Sequence, residues 1–61
     1  MADLTSKELS ALEDELSAEK LIITKFKNYA NMTADPQIRG KCEQIAAQHL
    51  QHYNTLLGHL N

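Results

Sequence analysis

One break, Asn31-Met32-Thr33-Ala34-Asp35-Pro36, divides the chain into two stretches whose apolar residues recur at helical spacing. No other feature restricts the fold as strongly. Proline disfavours helical geometry in the residue before it, so a helix on the N-terminal side must stop short of Asp35. Asp35 is itself a good N-cap, and Pro36 falls at the first helical position, where its missing N–H costs nothing. The link is too short to separate domains. It predicts the turn of an antiparallel helical hairpin, a single all-α domain spanning 1–61, with helices over about 6–31 and about 36–59.

The first stretch opens on Thr5-Ser6-Lys7-Glu8, the pattern of a capping box, with Leu4 and Leu9 placed for a hydrophobic staple. Leu9, Leu12, Leu16, Ile23, Phe26 and Ala30 then step by threes and fours, and Ile22 and Tyr29 widen the stripe. Position 19 continues that series, yet it is a glutamate. At about 100° per residue Glu19 projects near the centre of the apolar face. Glu13, Lys20, Thr24 and Lys27 form the solvated side, and Leu21 points outward with them.

In the second stretch the apolar positions are Ile38, Cys42, Ile45, Ala46, Leu50, Tyr53, Leu56, Leu57 and Leu60. They cover an arc of roughly 160°, wider than one partner helix can bury. Sixty-one residues with a lone cysteine cannot add an internal disulfide, and chains this short need a metal or a partner to supplement their core. The expectation is a homodimer in which two hairpins form a four-helix bundle.

Six basic and eight acidic residues give a net charge of −2 and no basic footprint for nucleic acid or anionic lipid. No apolar run reaches the roughly 18 residues of a membrane span. Met1-Ala2-Asp3 lacks the basic and then apolar pattern of a leader, so cytoplasmic synthesis is expected.

The second stretch also carries histidines where a core is expected. His49 lies within the apolar arc, and His52 sits at its border one turn on. A turn near Thr33-Ala34 pairs residues whose numbers sum to about 67 or 68, which sets Glu19 opposite position 48 or 49. Three readings follow. Glu19, His49 and His52 form a metal site, since bundle metal centres use glutamate and histidine on facing helices. Or they form a buried hydrogen-bonded layer without a cofactor, because a carboxylate cannot be buried unpaired. Or Glu19 reaches the edge of the bundle.

No catalytic constellation is legible. Cys42 reads as a small core residue, with no histidine within a turn to activate it. Tyr53 reads as a core or rim aromatic, and His59 as solvated. Thr5, Ser6, Ser10 and Ser17 lack a triad partner, and there is no phosphate loop or paired-cysteine zinc pattern.

Several blocks resemble the spore coat protein F (CotF-like) family in its short form. They are Leu4-Thr5-Ser6-Lys7-Glu8-Leu9, Leu12-Glu13-Asp14 with Leu16-Ser17-Ala18-Glu19, and Lys25-Phe26-Lys27-Asn28-Tyr29-Ala30. Asp35-Pro36-Gln37 and His49-Leu50-Gln51-His52-Tyr53-Asn54-Thr55-Leu56-Leu57 complete the set, which runs from about Leu4 to Leu60. The resemblance implies a ferritin-like helical bundle and a structural, non-enzymatic role in the spore coat, among other coat proteins. Ferritin-like metal sites carry over only in part. Glu19 stands for the glutamate of one helix, but His49-x-x-His52 places histidine where those sites have a bridging glutamate. A single divalent ion suits this donor set better than a di-iron centre.

Overall fold

The computed structural model describes residues 4–60; Met1-Ala2-Asp3, read above as lacking a leader, and Asn61 lie outside the described residues. Two helices, α1 (Ser6–Met32) and α2 (Pro36–Gly58), pack against each other as a hairpin. Neither is long and apolar enough to cross a membrane.

The helix ends lie where the local chemistry puts them. Thr5 and Glu8 close the capping box reciprocally: the Glu8 N–H donates to Thr5 Oγ1 at 3.1 Å and the Thr5 N–H donates to Glu8 Oε1 at 3.0 Å. The Thr5 backbone N–H, and then its side chain, hold the Glu8 carboxyl below its ordinary range. A depressed carboxyl pKa favours the folded state at neutral pH, and that contribution is lost as pH falls through the folded-state value.

At the turn, Asp35 Oδ1 accepts from the N–H groups of Gln37 at 2.8 Å and Ile38 at 3.4 Å, capping α2. Thr33 ties the corner from both sides. Its N–H donates to the Tyr29 carbonyl, its hydroxyl accepts from the Asp35 N–H, and its carbonyl accepts from the Arg39 guanidinium at 3.1 Å. These bonds satisfy groups that a helix end otherwise leaves to water.

The seam between the helices follows one side of each stripe. Among the described residues, Ile23, Ala30, Cys42 and Ala46 are buried, and Leu12, Leu16, Phe26, Ile45, Tyr53 and Leu56 are half-buried around them. Small residues at 30, 42 and 46 let the backbones approach near the turn. The Phe26 and Tyr29 rings meet edge to face at 5.6 Å.

Much of the apolar arc assigned to the core from sequence stays wet in a single hairpin. Ile38 is 51% exposed and Leu50 45% exposed, and Leu57 and Leu60 are exposed too. Tyr29 and Leu9 on α1 are likewise exposed. The reason is geometric: a helix with one neighbour can cover only the residues within reach of that neighbour. The rod measures 47 × 16 × 10 Å and has a radius of gyration of 14.5 Å, against roughly 10 Å for a compact domain of this length.

Candidate polar centre between the helices

Glu19 and His49 reach their meeting point because each continues the seam of its own helix. Glu19 follows Leu12 and Leu16 on α1, and His49 follows Cys42 and Ala46 on α2. The antiparallel register places them at one level, as the turn position requires. His52 lies three residues beyond His49, on the adjacent border of α2.

Glu19 Oε2 is the hub. His49 Nδ1 lies 2.9 Å from it, a hydrogen bond, and His52 Nδ1 lies 3.6 Å away, within ion-pair reach but too far for a good hydrogen bond. An ionised carboxylate only accepts, so in this hydrogen bond the Nδ1 of His49 is the donor. The two imidazole rings stand nearly perpendicular, with centroids 5.2 Å apart.

The side chains of Glu19 and His49 retain 14% and 26% of their exposure, while His52 is 62% exposed. The layer is therefore half-buried, with one wall open to solvent. It opens into a groove lined by Glu15, Glu19, His52, Thr55 and Leu56. Among the described residues, no buried side-chain nitrogen or oxygen lacks a hydrogen-bond partner. Glu19 thus has the partner that its place in an apolar stripe demands.

Glu19, His49 and His52 each offer one donor atom within 4.8 Å of the other two. Ligands of one zinc ion, each about 2.0–2.1 Å from the metal, are at most about 4 Å apart. Closing that difference takes a small side-chain adjustment, and the exposed His52 is free to make it. The set supplies three ligands of a four-coordinate site, with mixed nitrogen and oxygen donors of the kind zinc accepts.

The other residues singled out in the sequence lie apart from this centre. Cys42 is buried in the seam as a free thiol. Tyr53 is half-buried, and His59 forms the exposed C-cap of α2. Glu15 is the residue that sequence reasoning passed over. It lies one turn before Glu19 on the same helix and shares the groove with His52. Its spacing of four from Glu19 was the available signal.

Comparison with protein-family models, curated proteins and solved structures found no match to this sequence.

Proposed function

We propose that this protein is a non-catalytic structural module that works by helical self-association, with a second copy of itself as its first partner. The observation behind this reading is surface area. The hairpin exposes 4830 Å², whereas a compact monomer of 6.9 kDa exposes roughly 4000 Å². The excess, roughly 800 Å², is about what one partner buries in a standard protein interface. Two hairpins closing on each other as a four-helix bundle would remove it.

The resemblance to the spore coat protein F family supplies a setting, assembly of the spore coat, with other coat proteins as further partners. Sedimentation equilibrium at tens of micromolar is expected to give a dimer or larger assembly, and fractionation of spores to place the chain in the coat extract. A well-folded monomer at that concentration would remove the basis of the reading.

A second reading, a ferritin-like divalent-metal protein, is favoured by the convergence of Glu19, His49 and His52. Metal bound through His49 Nδ1 would displace the proton of its hydrogen bond to Glu19. Titration calorimetry with zinc is expected to show one ion per chain, with affinity falling about 10-fold or more in His49→Ala and unchanged in His59→Ala. Equal binding by wild type and His49→Ala would dismiss this centre as a metal site.

A further inference from the structure

Glu15 has no cation within helical reach. The positions three and four residues to either side of it are Ala11, Leu12, Ala18 and Glu19, so its one charged neighbour at that spacing is another carboxylate. Like charges four residues apart destabilise a helix. Among the described residues, the Glu15 side chain makes no hydrogen bond or ion pair that would offset this. It borders instead the groove that Glu19, His52, Thr55 and Leu56 also line.

The polar residues of this centre form two pairs at helical spacing. Glu15 and Glu19 lie four apart on α1, and His49 and His52 three apart on α2. Residues so spaced share one face of a helix. In the antiparallel register Glu19 faces His49, and the same count sets Glu15 level with His52. Two ligands of a tetrahedral zinc ion, each about 2.0–2.1 Å from it, stand about 3.3–3.4 Å apart. The Nδ1 atoms of His49 and His52, at 2.9 and 3.6 Å from Glu19 Oε2, fall on either side of that separation.

From this arrangement we infer that Glu15 is the fourth ligand of a single divalent cation, with Glu19, His49 and His52 as the other three, and that the ion staples the two helices together. The inference rests on the metal reading above and deepens it. Glu15 is exposed and has no bond to break, so side-chain rotation alone turns it toward the ion. Two carboxylates and two neutral imidazoles carry two negative charges in all, which one divalent ion neutralises. The repulsion between Glu15 and Glu19 then becomes attraction to a shared centre. Four protein ligands leave no open position for water or substrate, so the site is structural and not hydrolytic.

The ligands also explain what the ion does for the fold. Each helix supplies two, and Glu19 and His49 are 30 residues apart in the chain. They come together only in the hairpin, so the free energy of metal binding adds to that of folding. The seam has little else to rely on: among the described residues, Ile23 is the one large aliphatic side chain that is buried. A metal is one of the few supplements open to so short a chain.

Zinc and cobalt(II) are the probes, each added to the metal-free full chain. Titration calorimetry compares wild type with Glu15→Gln and with Glu13→Gln, which removes the same charge from the solvated side of α1. Both residues are exposed, and both variants should match the wild-type circular dichroism without metal. Zinc affinity is expected to fall about 10-fold or more in Glu15→Gln and to stay unchanged in Glu13→Gln. Cobalt(II) should give the intense visible bands of a four-coordinate ion in wild type, and those bands should shift in Glu15→Gln. At one zinc concentration the wild-type Tm should rise further than that of Glu15→Gln. Equal affinity and equal cobalt spectra in wild type and Glu15→Gln, with binding lost in His49→Ala, overturn Glu15 as a ligand and leave the metal reading standing. Tight binding with no rise in Tm overturns the staple. No zinc binding by wild type overturns both readings.

Discussion

Ile23→Ala is expected to leave the chain largely unfolded at room temperature. Ile23 is 9% exposed, and among the described residues it is the one large aliphatic side chain that is buried, the others being Ala30, Cys42 and Ala46. Truncating a buried isoleucine costs about 2–5 kcal/mol, from lost transfer energy and from the cavity left behind. A core in a chain this short seldom supplies more than about 3–5 kcal/mol, so the loss is comparable to the whole. Urea titration followed by circular dichroism measures it. Leu21→Ala, at 65% exposure, is the control and should move stability by no more than about 0.5 kcal/mol. Should Ile23→Ala melt together with Leu21→Ala, the seam around Ile23 is not what holds the helices together.

Ile45→Asp should break the assembly. Ile45 is half-buried in the isolated hairpin, within the apolar arc of α2 that one neighbour covers only in part. A carboxylate there, even with His49 one turn on, would lose its water on assembly, at a cost of several kcal/mol, once for each copy in a dimer. At about 1.4 kcal/mol per factor of ten, the affinity of the two copies should fall by at least about 100-fold. The readout is the concentration dependence of thermal melting. Wild type should melt higher as concentration rises, because association stabilises by mass action, and Ile45→Asp should lose that dependence. Leu21→Asp changes the charge equally on the outward face and should keep it. If Ile45→Asp retains the wild-type dependence, the partner covers some other surface.

The same residue illustrates how far a stripe can be read. Ile38, Ile45 and Leu50 belong to one apolar arc in the sequence, and nothing local distinguishes them. In the hairpin Ile45 is half-buried, while Ile38 and Leu50 stay exposed. Periodicity reports which side of a helix is apolar, but which part of that side meets the first neighbour depends on the crossing of the two helices. Glu15 was missed for a related reason. Its place at the edge of the α1 stripe reads as solvated, and it stays exposed; only α2 turns that edge into the wall of a groove.

Glu19 and His49 were legible because hairpin register is arithmetic. Once Asp35-Pro36 fixes the turn, the residues that face each other follow by counting, and an error of a few residues would have separated the pair by a turn. Counting sets the level but not the bond. That the contact runs through Nδ1 of both imidazoles to a single carboxylate oxygen follows from side-chain rotamers, which spacing leaves open.

The sequence by itself determined what local chemistry can encode: two helices, their caps at Thr5 and Asp35, the turn, and the level at which a glutamate and a histidine interrupt the stripes. Those features act over one or two turns of backbone, so neighbouring residues carry all the information they need. Only the tertiary structure decided how little of the apolar surface one hairpin buries, and that Glu19 and His49 meet at hydrogen-bond distance with His52 beside them. Such quantities depend on the angle and spacing of two helices packed together, and no single stretch of chain contains them.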